Sequence, residues 1–227
     1  DTPTALYETA VFQWEWLEQA TEQKLIPEGC DQLNDVHDSI VQAFPHMGIE
    51  DVAHFACNHD IEDDKGTLDY LEECALEAGI DTCSLAMADI GTDDQGRFTD
   101  LDEQPITALV KLYPWEWIMA EDFGRLVPAS GVRFIEPPWK MILANKGLLP
   151  LLWGMFEGHP NLLPAFFEDD PAAAALAETG RYVHKPMLSR QGANIEIVDD
   201  GKTLLHTDGP YGDDAHILQG YHPLTEF

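Results

Sequence analysis

Val52-Ala53-His54-Phe55-Ala56-Cys57, then Lys65 to Ala78 with Gly79 behind it, then Cys83-Ser84-Leu85-Ala86-Met87, is the succession whose reading decides the fold class. The two short runs are apolar and of strand length. The segment between them has helical length and stops at a glycine suited to a left-handed C-terminal turn. A strand, a helix and a second strand of these sizes form a parallel crossover. Downstream, the turn Asp93-Asp94-Gln95-Gly96 leads to Arg97-Phe98-Thr99, and Ile106 to Leu112 reads as a buried strand. An α/β layer follows from this alternation.

Upstream, Leu6, Ala10, Trp14 and Leu17 share one helical face, as do Leu33, Val36, Ile40, Val41 and Phe44, so two amphipathic helices precede the layer. After Tyr113-Pro114 the texture changes, with a helix around Trp115 to Phe123, a loop through Pro128 to Gly131 and a strand at Arg133 to Ile135. Pro137-Pro138 opens a helix through Trp139, Ile142, Leu143 and Leu148 that continues to Leu151, Leu152 and Phe156, with a break or kink expected at Pro150. Ala172 to Thr179 is a short helix closed by Gly180. Strands follow at Arg181 to Met187, Asn194 to Val198 and Thr203 to His206, the last two joined by the turn Asp199-Asp200-Gly201-Lys202, and Ile217 to Leu224 reads as a final strand. The expected organisation is mixed α/β, with one unit over residues 1–135 and a second over 136–227.

Composition narrows the function classes. The chain has 227 residues, of which 44% are hydrophobic, enough for a real core. Against 42 acidic residues stand 12 lysines and arginines, a formal net charge of -30. Neutralising nucleic-acid phosphates needs a basic patch, and none is visible. The acids are dispersed in pairs such as Glu72-Glu73, Asp169-Asp170 and Asp213-Asp214. Molar salt, with a screening length of about 3 Å, would relieve the self-repulsion of such a surface, so a salt-rich cytoplasm is the expected setting. No apolar run is long enough for a membrane helix and no signal-peptide pattern opens the chain. Asp1 is not an initiator methionine and no closing element follows the last strand, so the chain reads as an internal fragment of a longer protein. Four cysteines, Cys30, Cys57, Cys74 and Cys83, have no metal-type spacing and read as reduced and mostly buried.

In a chain stripped of surface lysine, the remaining cations are informative. Five of the twelve, Lys140, Lys146, Arg181, Lys185 and Arg190, lie between Trp139 and Asn194, where chance would place roughly three. Salt bridges to the many carboxylates are the plain alternative for each. Lys185, however, interrupts an apolar strand and needs an anionic partner or a path to solvent. Directly behind it, Ser189-Arg190-Gln191-Gly192-Ala193-Asn194 is a loop between strands that can turn backbone N–H groups toward phosphate oxygens while arginine neutralises them, as a flexible lid over a nucleotide would. It is neither a Walker A loop nor a dinucleotide fingerprint.

Four segments occur in this order: Lys111-Leu112-Tyr113-Pro114-Trp115-Glu116-Trp117, Ile135-Glu136-Pro137-Pro138-Trp139-Lys140, Asn145-Lys146-Gly147-Leu148-Leu149-Pro150-Leu151-Leu152-Trp153 and Lys185-Pro186-Met187-Leu188-Ser189-Arg190-Gln191-Gly192-Ala193-Asn194. With them the chain resembles the synthetase part of glutathionylspermidine synthase and its stand-alone relatives. The resemblance runs from Asp1-Thr2-Pro3-Thr4 to Ile217-Leu218-Gln219. It implies a pre-ATP-grasp domain followed by part of an ATP-grasp domain with a β-hairpin lid, and an ATP-dependent ligase that joins a carboxylate to an amine through an acyl phosphate. Lys146 and Lys185 would then hold the ATP phosphates, Arg190, Gln191 and Gly192 would belong to the lid, with Arg190 acting on the transferred group, and Gln219 would lie toward the adenine.

By the same resemblance, Asp63, with Glu62 beside it, would contact the carboxyl or amine substrate, and Thr2 and Thr4 a peptide substrate. The substrates would be a small-molecule or peptide carboxylate and an amine or polyamine. Magnesium would bridge the phosphates, on carboxylate and amide ligands expected upstream of Asp1, and a further arginine is expected beyond Phe227; a fragment without them should not catalyse alone. Trp117 stands where the glutathionylspermidine enzyme places a small hydroxyl residue against glutathione, which argues against that substrate. A non-catalytic binding or scaffolding protein that keeps the fold is the alternative reading.

Other signals are declined. His54 and Cys57 are three apart on a strand and point to opposite faces, so His54, Cys57, His59 and Asp60 are not read as a zinc cluster, and no metal ligand is assigned. His184 is read as packed rather than catalytic, and most of the six tryptophans as core or domain-interface residues. No serine or cysteine stands in a nucleophile elbow.

Overall fold

The first sheet is parallel throughout, as the strand-helix-strand reading requires. The computed structural model describes residues 6–223 and divides the chain into two units, Asp1–Lys140 and Met141–Phe227. In the first unit, a short π-helical stretch, Glu8–Phe12, runs into α1 (Gln13–Glu22), and α2 (Val36–Ala43) follows. Next come β1 (Ala53–Cys57), α3 (Glu62–Glu77) and β2 (Thr82–Ala86). β3 (Gly91–Thr92) and β4 (Phe98–Thr99) form a small antiparallel ribbon. β5 (Ala108–Leu112), α4 (Trp115–Ala120) and β6 (Arg133–Ile135) complete the unit. The strand order is β2-β1-β5-β6.

Alternation along β1 assigns its side chains to two buried faces. Ala53, Phe55 and Cys57 join Leu68, Leu71 and Cys74 of α3, with Leu6 and Phe44, in one core. Buried Leu68, Leu71 and Ala75 recur at helical spacing, which is why α3 lies along the sheet. On the other face, Trp115 meets Phe134 edge-on at 5.0 Å, and Phe98 meets Phe134 at 6.4 Å and Phe123 at 5.8 Å. α3 begins earlier than its apolar periodicity indicates: Glu62, Asp63 and Asp64 form its first turn, where carboxylates complement the positive end of the helix dipole.

The second unit is built on an antiparallel sheet of five strands. After a 3-10 turn at Pro138–Lys140, α5 (Met141–Ala144) opens the unit and α6 (Leu148–Met155) follows. The helix breaks at Asn145 to Gly147 and not at Pro150. Pro150 lies in the first turn of α6, where a missing N–H costs no helical hydrogen bond. The break is held by Asn145 Oδ1, which accepts from the Gly147 N–H at 2.7 Å, and by the Lys146 N–H, which donates to the Met187 carbonyl at 2.8 Å. A Cβ on Gly147 would stand 2.6 Å from Met187 Cε, so glycine permits this approach.

Then come β7 (Ala165–Phe167), α7 (Pro171–Glu178), β8 (Tyr182–Pro186), β9 (Glu196–Asp199), β10 (Lys202–His206) and β11 (His216–Gly220). The order β10-β9-β8-β11-β7 contains the expected meander of β8 to β10, with β11 inserted between β8 and β7. No helix among the described residues is long and apolar enough to cross a membrane.

Two of the six tryptophans stand out in the open. Trp115 is buried, but Trp16 and Trp139 are 62% and 61% exposed and are not core residues. Of the four free cysteines, Cys57 and Cys74 are buried and Cys30 is exposed.

Candidate functional site

Lys185 lies in the interior of β8 because its neighbours on both sides satisfy the ladder to β11, where Lys185 is paired with Ile217 and Val183 with Gln219. Side chains two apart on a strand share a face, so Lys185 and Gln219 meet diagonally. The Lys185 ammonium donates to Gln219 Oε1 at 2.7 Å. Of the two expectations, an anionic partner or a path to solvent, the first is not met: the partner is a neutral amide, and among the described residues no carboxylate pairs with Lys185, which is only partly buried. Burial, and then the charge of Lys146, hold the Lys185 ammonium below the usual lysine range. Two cations are thus brought together in a partly desolvated place, against their mutual repulsion, from α6's leading turn and from β8.

The loop after β8 closes on the same group. Lys146 Nζ donates to the Ser189 carbonyl at 2.8 Å and to Ser189 Oγ at 2.9 Å. From Arg190 to Ala193 the chain makes a tight turn, with the Ala193 N–H donating to the Arg190 carbonyl at 3.0 Å. Its central residues Gln191 and Gly192 have φ of 51° and 75°, both left-handed, as in the primed hairpin turns. Thr207 Oγ1 donates to the Gly192 carbonyl at 2.6 Å, and Asn194 Oδ1 accepts from the Tyr211 N–H at 2.9 Å. The loop is therefore anchored on its far side, while Gln191 and Gly192 at its tip are exposed.

Lys146, Lys185, Gln219 and the loop bearing Arg190, Gln191 and Gly192 all belong to the second unit. Asp63 belongs to the first, exposed in the opening turn of α3 just past the carboxyl end of β1, where open parallel sheets bind ligands. Thr2 and Thr4 lie outside the described residues. His184, on the opposite face of β8 from Lys185, stacks on His216 at 4.6 Å and contacts Glu168 at 3.1 Å.

One polar group went unread in the sequence, and another was weighed with the wrong neighbours. Lys111, 1% exposed, donates to the Tyr113 carbonyl at 2.7 Å and stands 4.5 Å from the Trp115 ring centre. The signal that exposes Lys185, a lysine inside an apolar strand, is also present at Lys111. Buried His54 turns Nε2 toward Asp100 at 3.3 Å, a contact between distant segments with no local signature.

The family model for the glutathionylspermidine synthase pre-ATP-grasp region matches residues 1–227. The chain belongs to this family. A Haemophilus influenzae protein proposed to be an acid–amine ligase is 41% identical over 200 residues, which are 86% of this chain and 49% of that protein. The bifunctional glutathionylspermidine synthetase/amidase of Escherichia coli is 26% identical over 228 residues, 89% of this chain and 36% of that protein. The chain thus spans about half or less of the length of these curated relatives. Among solved structures, D-cycloserine synthetase DcsG aligns with a TM-score of 0.47 and 20% identity, covering 75% of this chain and 59% of that one.

Proposed function

We propose that this member of the family contributes the phosphate-binding face of an ATP-dependent carboxylate–amine ligase. The reading rests on one observation: Lys185 and Lys146 are held together beside Gln219 with only a neutral acceptor on Lys185, an arrangement that an incoming polyanion would stabilise. The relatives' names support amide-bond formation. In the proposed reaction the γ-phosphoryl group of ATP passes to a substrate carboxylate, giving an acyl phosphate and ADP. The amine then attacks the acyl carbon and phosphate leaves, with one proton lost from nitrogen.

Such a transfer is catalysed chiefly by positioning and charge neutralisation. Lys146 and Lys185 would hold the phosphate oxygens, Arg190 would neutralise the transferred group, Gln191 and Gly192 would cover it, and Gln219 would set the nucleotide's depth. Two ammonium groups and an amide do not fit a magnesium ion, so no magnesium ligand is assigned in this cluster. Asp63, Thr2 and Thr4 remain the proposed contacts to a peptide or small-molecule carboxylate and an amine or polyamine.

Isothermal titration of Mg-ATP into the full-length protein in molar potassium chloride tests this reading. Lys185→Met should weaken binding at least about tenfold, which is about 1.4 kcal/mol. Absence of binding by the unaltered protein would reject the ligase reading and favour a scaffold that has kept the fold alone.

A further inference from the structure

We propose that His54, Cys83 and Asp100 form a three-residue zinc site that fastens the β3–β4 ribbon to the parallel sheet. The ligand atoms of these three residues lie within 4.8 Å of one another. Their proximity follows from the fold. His54 and Cys83 are register partners on adjacent parallel strands, so their side chains emerge side by side from one face. Asp100 directly follows β4, whose Phe98 packs against Phe134 on that same face.

The protein alone leaves the imidazole poorly satisfied. His54 is 4% exposed, and its Nε2, the nitrogen a metal would take, faces Asp100 Oδ2 at 3.3 Å. A charge-assisted bond would be about 2.7–2.9 Å. By contrast, zinc bound at about 2.0–2.3 Å to tetrahedral ligands separates neighbouring donor atoms by roughly 3.3–3.8 Å; the His54 and Asp100 donors stand at 3.3 Å, and Cys83 lies within 4.8 Å of both.

Asp100 is also oriented as a ligand should be. Its Oδ1 accepts the N–H groups of Asp102 at 3.0 Å and Gln104 at 2.8 Å, so Oδ2 is left to face His54. A thiolate, a neutral imidazole and a carboxylate balance a divalent cation, and the nearby carboxylates Asp102 and Glu72 add a field that favours one. This donor set suits a borderline-soft metal of the zinc type, and three protein ligands leave the fourth position to water. Cys83 and Asp100 are not fully buried, and the Asp100 side chain keeps 10% of its surface exposed.

Cobalt(II) titrated into the chelator-treated full-length protein provides the test. One equivalent should give the intense visible bands of tetrahedral cobalt together with a near-ultraviolet thiolate-to-metal band. Cys83→Ser should abolish the near-ultraviolet band, Asp100→Asn should weaken binding at least about tenfold, and Cys57→Ser, which removes a different buried thiol, should leave the spectrum intact. Zinc should likewise slow alkylation of Cys83 in the unaltered protein, read by mass spectrometry against exposed Cys30, a measurement that needs no variant to fold. No saturable cobalt binding, or a thiolate band that survives Cys83→Ser, would overturn the proposal. So would bands lacking thiolate character, which would point instead to Glu168, His184 and His216, whose donor atoms also lie within 4.8 Å of one another. The outcome is independent of whether the protein binds ATP.

Discussion

Lys185 shows how one residue can be costly to the fold and still useful. Because burial and then Lys146 disfavour its charged form, its folded-state pKa lies below its unfolded one. The sign follows from linkage: the cost to stability is fully present below the folded value and is relieved as pH rises through that value toward the unfolded one. Lys185→Met, which keeps the length and removes the charge, should therefore raise the urea midpoint at neutral pH and abolish this alkaline gain. A variant less stable than the parent at neutral pH would show that the ammonium is satisfied as it stands. Lys185 could be found in sequence because a charge inside an apolar run is a local anomaly. His54 could be noticed beside Cys57 and His59, but its actual neighbours could not, because Cys83 and Asp100 are brought to it by strand register and by the ribbon, and neither is visible in a window around residue 54.

At the scale of elements, short-range chemistry explains most boundaries. α7 begins where Asp170 caps it, its carboxylate accepting from the Ala172 N–H at 2.8 Å, with Pro171 at the first helical position. Asp170→Ala should lower stability by about 1 kcal/mol in urea unfolding, whereas Asp169→Ala, next to it and without a capping bond, should change little. The elements misplaced from sequence are those whose limits depend on partners. The helix after Pro138 breaks at Asn145 to Gly147 because the Lys146 N–H is taken by Met187, a residue of a different segment. β7, only Ala165–Phe167, has no period of its own and becomes a strand by pairing with β11.

For the whole molecule, charge dominates. A net charge of -30 spread over pairs of acids puts self-repulsion on each unit. With the screening length falling to about 3 Å at molar ionic strength, the thermal midpoint should rise steeply between low and molar potassium chloride. Differential scanning calorimetry would show this, and a flat response would remove the inference of a salt-rich setting. Surface ion pairs offset little of the repulsion, since the exposed contacts Arg97 to Asp93 and Arg181 to Asp199 are each of modest worth.

Sequence by itself determined the α/β character, the parallel crossover from β1 to β2, the meander of β8 to β10 and membership of the family, because periodicity, turn residues and ordered motifs are properties of neighbouring residues. Tertiary structure alone decided that β11 enters between β8 and β7, that Gln219 is the acceptor for Lys185, and that His54, Cys83 and Asp100 converge. Each of these depends on pairing between segments distant along the chain, where register, and not composition, selects which side chains meet.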